Sequence, residues 1–160
     1  MDKLWAPWRS KYIYLRGKKA CIFCNNRKSR DTDTRFIVDR TEHSFAMLNL
    51  YPYNNGHVMV APFRHVRSLE LLNDTELTDL MRLVNKTKRL LDRKMKPHGY
   101  NIGLNIGKVG GAGFDGHMHI HIVPRWTGDA NFMLTLANTK VMPESLEDTY
   151  TRLHSAWGSH

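Results

Sequence analysis

Three histidines alternate with apolar residues in the segment GHMHIHIVPRW: His117, His119 and His121. A strand turns successive side chains to opposite faces, so it would put these imidazoles on one face, about 7 Å apart, and Met118, Ile120 and Ile122 on the other. Imidazole is a nucleophile toward phosphorus and acyl centres and also the commonest nitrogen ligand of metals, so the pattern alone leaves both roles open. A second group with chemistry is the CIFC segment, Cys21 to Cys24. A redox CxxC opens a helix in a parallel βαβ unit, and no such unit is readable around it. Structural zinc fits better, but zinc takes four tetrahedral ligands, so histidines from elsewhere in the chain must complete what two cysteines begin. A third is the glycine-rich stretch from Gly107 to Gly116. Its glycines let backbone N–H groups approach an anion, yet it leads into a strand and lacks a GKS or GKT ending, which excludes a nucleotide P-loop.

Positioning these groups requires a sheet. The runs RFIVD (35 to 39) and SFAMLNL (44 to 50) suit a hairpin, YPYNNG is turn chemistry, and HVMVAP follows as a strand. Between Asp74 and Met95 the apolar residues Leu77, Leu80, Met81, Val84, Leu91 and Met95 share one helical stripe, capped by Asp74 or Thr75 and stopped by Pro97, His98 and Gly99. A strand through YNIGLNIG, the glycine bend and the histidine strand come next. A last strand is expected around Phe132 to Leu136, and then a helix opened by Pro143 with Leu146, Tyr150, Leu153 and Trp157 on one face. Hairpin succession around one long helix implies an α+β fold on an antiparallel sheet. No repeat or linker divides the chain, so residues 1–160 read as a single domain with a core over about 20–140.

The 160 residues carry 41% hydrophobic side chains, enough for one real core. Lys and Arg number 24 against 15 Asp and Glu, a net charge of +9 that attracts polyanions. A nucleic-acid-binding module is the rival reading of another class, drawn from Arg9, Lys11, Arg16, Lys18 and Lys19 among aromatic residues, although a solvated basic face is the commoner meaning of such runs. The opening MDKLWAPWRSKYIYLRGKK has no apolar stretch of a secretory signal, and no later run would span a bilayer. Two cysteines give no disulfide framework, so the expected compartment is the cytoplasm.

The segment His117-Met118-His119-Ile120-His121-Ile122-Val123 resembles the signature of the histidine triad (HIT) family of nucleotide hydrolases and transferases. The likeness continues upstream in LNLYPYNNGHVMVAP, and the endings LWAPWRSKYI and PRWTGDANFM look like the branch of diadenosine tetraphosphate phosphorylases. The resemblance implies a HIT-like five-stranded sheet, a homodimer, and transfer of a nucleotidyl group through a covalent adduct on His119, with inorganic phosphate as acceptor. Diadenosine tetraphosphate would give ADP and ATP. Hydrolysis through the same intermediate, with water as acceptor, is the alternative. His121 and His57 become supports for the phosphate and leaving group, Asn49 a ribose ligand, Ile22 and Phe23 the walls around the base, and Asn105 an active-site amide. Backbone N–H groups near Gly111 and Gly113 would meet phosphate oxygens. Trp126 would border the second nucleotide or the acceptor. Where relatives often carry Gln-Ser or another serine-containing pair, this chain has Gly113 and Phe114, so a side-chain donor is missing.

By the same resemblance, Cys21, Cys24, His65 and His117 would hold a structural zinc. No nucleic acid or membrane partner is expected. His43, His98, His154 and His160 receive no role.

Overall fold

The computed structural model describes residues 21–24, 36–130 and 140–155. The basic residues between 9 and 19, the strand expected around 132–136 and Trp157 lie outside these residues.

Five strands form one sheet: β1 (Ile37–Arg40), β2 (Ser44–Leu48), β3 (Val58–Pro62), β4 (Gly99–Leu104) and β5 (Ile120–Arg125). Their order is β1-β2-β3-β5-β4, with every neighbour antiparallel. The fold is therefore the expected α+β type. Side-chain alternation divides the sheet into two apolar layers. Ala46, Leu48, Val58, Val60, Ile120 and Ile122 face a core shared with Leu80, Leu83, Leu90 and Leu91 of the long helix α1 (Asp74–Met95). Phe45, Met47, Met59 and Ala61 make a smaller layer with Phe23 on the opposite side.

Three boundaries differ from the sequence reading. The cap of α1 is Asn73, whose side chain accepts from Glu76 N–H while the Glu76 carboxylate accepts from Asn73 N–H. This reciprocal pair satisfies two helix-end donors, which Asp74 or Thr75 would do one or two residues too late. Helix α2 (Leu146–His154) begins after Ser145, which accepts from Asp148 N–H; Pro143 precedes the helix instead of opening it. Strand β2 stops at Leu48 because the Asn49 side-chain oxygen accepts from Tyr51 N–H and starts the turn that leads to His57.

Arg64 ties the segment after β3 to the start of α1 through a two-pronged bond to Glu76, at 2.8 and 2.6 Å. Among the described residues no strand pairs with the outer side of β4, the opposite edge of the sheet, and Ile102 on it is 46% exposed.

Candidate active site

The chain enters the triad through Met118, whose N–H donates to Val66 O; regular pairing begins only at Ile120. Met118, Ile120 and Ile122 are nonetheless all buried in the α1-side core, which turns His117, His119 and His121 to the other face, as alternation requires. In the ladder His121 lies opposite Met59 on β3 and Gly103 on β4. Gly103 has nothing within 4 Å of where a Cβ would stand, so the strand leaves room beside the imidazole.

Each ring nitrogen has a role that its partner dictates. His119 Nδ1 lies 2.9 Å from the His117 carbonyl, which can only accept, so Nδ1 carries the proton and Nε2 keeps its lone pair. His57 Nδ1 accepts from Tyr53 N–H at 3.1 Å, which leaves the proton on Nε2, and Nε2–H donates to His121 Nδ1 at 2.9 Å. His121 therefore holds its own proton on Nε2. The rings of His119 and His121 are edge-on at 4.8 Å. Together they present one bare nitrogen and one N–H donor, the pair that a displacement at phosphorus requires.

Burial favours the neutral form of every ring in this row. It lowers His57 to about 3 and His121 to about 4, reinforced by neighbouring imidazoles, and it also lowers His119.

Behind the row lies a second cluster. His117 is fully buried; its Nε2–H donates to Pro62 O at 2.9 Å, leaving the Nδ1 lone pair directed at Cys21 Sγ and Cys24 Sγ, 3.4 and 3.6 Å away. His65 Nδ1 lies 3.2 Å from Cys24 Sγ. The four ligand atoms of Cys21, Cys24, His65 and His117 lie within 4.8 Å of one another. Zinc bonds of about 2.0–2.3 Å at tetrahedral angles put donors about 3.3–3.8 Å apart, so the set fits a closed four-ligand metal site. Burial holds the Cys21 thiol above its ordinary range.

Comparison with known proteins gives the family. A family model described as the HIT domain matches residues 30–128. An AP-4-A phosphorylase of Mycobacterium tuberculosis is 39% identical over 98% of this chain and 85% of its own length. The chain belongs to the HIT family. A bis(5'-nucleosyl)-tetraphosphatase (asymmetrical) of Schizosaccharomyces pombe is 39% identical over 58% of this chain and half of its own. A histidine triad nucleotide-binding protein of Sulfolobus tokodaii superposes with a TM-score of 0.67 at 25% identity, over 85% of this chain and 91% of that one.

The other sites expected from the sequence are distributed unevenly around this HIT centre. Ile22 is 45% exposed, but Phe23 is 1% exposed, its ring 4.7 Å from His119 and 5.0 Å from His117. Phe23 thus has no open face for a base; it is the wall against which both histidines pack. Asn49 is buried, with its oxygen on Tyr51 N–H and its nitrogen 3.4 Å from His57 Nδ1. Asn105 donates to Gly111 O at 3.3 Å and so braces the glycine loop, which turns at Gly107 and Gly111 with φ of +72° and +86°. Gly113 is exposed on that loop, and Phe114 packs edge-on against Phe23 at 6.3 Å. Trp126 lies just past β5, half-buried, lining a groove with Asn54, Met95, Glu144 and Arg152.

Sequence reasoning missed Tyr53, which is 55% exposed and whose ring stands 4.7 Å from His57 and 5.8 Å from His121. It also missed the Pro62 carbonyl. Neither carries a motif: one is read as a turn residue and the other acts through its main chain.

Proposed function

We propose that this HIT protein is a nucleotidyltransferase acting on dinucleoside polyphosphates. The observation that carries the reading is the bond from His119 Nδ1 to the His117 carbonyl, which leaves Nε2 bare. In the first half of the reaction, Nε2 attacks the α-phosphorus, the P–O bond to the rest of the polyphosphate breaks with its electron pair on oxygen, and His121 Nε2–H donates a hydrogen bond to that oxygen. In the second half, an oxygen of inorganic phosphate attacks, the P–N bond breaks and its pair returns to Nε2. Diadenosine tetraphosphate and phosphate thereby become ADP and ATP. The likeness to an AP-4-A phosphorylase over nearly the full chain supports phosphate as acceptor. Likeness to an asymmetrical tetraphosphatase supports a second reading, with water in that place.

The site residues follow. Ile22 borders the base, the second N–H of Asn49 meets the ribose, and Asn105 with the main chain at Gly111 and Gly113 serves the phosphates. Trp126 borders the acceptor or second nucleoside. Cys21, Cys24, His65 and His117 would hold a structural zinc, which supplies a cross-link between the amino-terminal segment and the triad strand and no open coordination position. The chain forms one domain and a homodimer through the β4 edge, since an exposed Ile102 on a strand with no outer neighbour among the described residues is a surface that a second copy can cover. Reduced cysteines suit the cytoplasm; among the described residues no helix is long and apolar enough to cross a membrane.

Phosphorus NMR of diadenosine tetraphosphate with the protein, with and without phosphate, tests the reading. ADP and ATP formed only with phosphate, and not by His119→Ala, is the expected result. AMP and ATP regardless of phosphate would favour the hydrolase; turnover unaffected by His119→Ala would overturn both.

A further inference from the structure

The proton arrangement of the His57–His121 pair depends on one turn. Tyr53 N–H must point at His57 Nδ1, and Tyr53 and His57 are held by a turn closed by His57 N–H on Asn54 O at 3.2 Å. The Asn54 side chain, 5% exposed, locks that turn to the far end of β5. Its nitrogen donates to Pro124 O at 2.9 Å and to Asp129 Oδ2 at 2.8 Å. Two acceptors fix which end of the amide is nitrogen. The Asp129 carboxylate, with its side chain 8% exposed, also accepts from Arg125 Nε at 2.6 Å, Arg125 Nη2 at 3.0 Å and Trp126 N–H at 3.3 Å. Arg125 Nη1 donates in turn to Asn101 Oδ1 on β4 at 2.7 Å.

We infer that Asp129 is a positioning residue for nucleotidyl transfer, acting through Asn54 on the His57–His121 pair; the inference rests on the reaction proposed above. A carboxylate accepts only, so it holds the Asn54 amide in a single orientation. An amide at 129 would offer donor and acceptor alike, and Asn54 could then flip or withdraw. The turn would loosen, Tyr53 N–H would leave His57 Nδ1, and the proton that His57 holds on Nε2 would no longer be fixed there. His121 Nε2–H would lose its assignment in the same way. The damage falls on hydrogen bonding to the leaving oxygen, while Ile22 and the glycine loop, which lie outside the turn from Asn49 to His57, stay in place.

The test uses Asp129→Asn and Asn54→Ser in the full, metal-loaded protein. Long-range proton–nitrogen NMR reads the ring tautomers of His57 and His121. Kinetics compare two esters of AMP, one with p-nitrophenol and one with a more basic alcohol whose departure needs the donor. Wild type should show single Nε2–H tautomers; both variants should show mixed ones, with kcat for the alkyl ester down about 10-fold, KM unchanged and the p-nitrophenyl ester within about 2-fold. Combining the two substitutions should add little. Unchanged tautomers, or equal losses on both esters, would overturn the inference and leave the network a purely structural brace. If wild type cleaves neither ester, the transfer reading fails, and the tautomers still decide the case of Asp129.

Discussion

His117 meets His119 and the cysteine pair through different atoms: its carbonyl accepts from His119 Nδ1 at 2.9 Å, while its ring turns Nδ1 toward Cys21 and Cys24. The candidate metal site and the candidate nucleophile therefore share one residue, and a change of the metal site is felt at His119 through the main chain.

Metal content should show this coupling. One zinc per chain is expected by elemental analysis, and Cys24→Ser should lose it. Losing a closed site costs several kcal/mol, so the melting temperature should fall by about 5–10 °C. Activity should fall further than the unfolded fraction explains, because the His117 carbonyl is no longer held. A fully active, metal-free variant would separate the two sites.

Removing the nucleophile should be far costlier than removing its support. His119→Ala should lower kcat by about 10³-fold or more, whereas His121→Gln, which keeps an N–H donor near the leaving oxygen, should lose about 10²-fold. Trapping a nucleotidyl adduct by mass spectrometry in His121→Gln, and never in His119→Ala, checks the assignment. An adduct on another histidine would displace it.

Acid should destabilise the fold through the buried row. His57 and His121 stay neutral in the folded protein down to about 3 and 4, but take a proton near 6.5 when unfolded. The unfolded chain thus binds more protons between pH 6.5 and 4, and stability falls as pH drops through that window. Thermal melts from pH 7.5 to 4 should show the slope, and His57→Gln should flatten it. Glu76, drawn down to about 2 by Arg64 and by Asn73 N–H, acts lower, between pH 4.5 and 2.

The α1 layer should behave as independent support. Leu91, fully buried, should cost about 2–5 kcal/mol on substitution by Ala, with kcat of the folded fraction unchanged. Denaturant unfolding beside active-site titration measures both.

The β4 edge predicts assembly. Ile102→Lys should convert a dimer to a monomer in light scattering without loss of fold, since Ile102 is already 46% exposed. A wild-type monomer at micromolar concentration would remove β4 as the interface.

By itself, the sequence determined the period-two alternation of the triad, the antiparallel hairpin order and part of the helical stripe of α1, where Met81 is 54% exposed and Leu83 and Leu90 are buried instead. These are local: each follows from side-chain spacing along one stretch of chain. Residue type set apart only Cys21 and Cys24, and the resemblance to the HIT family added His65 and His117; the tertiary fold brought the four ligand atoms within 4.8 Å across 96 positions of chain. Which ring nitrogen carries a proton could not be read locally. That depends on the Pro62 and His117 carbonyls, on Tyr53 N–H and, through Asn54, on Asp129, partners chosen by strand register and turn geometry. The same holds for Phe23. A residue type that suits a base-binding wall became, through the packing of Phe45 and Phe114 around it, the buried support of His119, because burial is a property of the assembled layers and not of the segment.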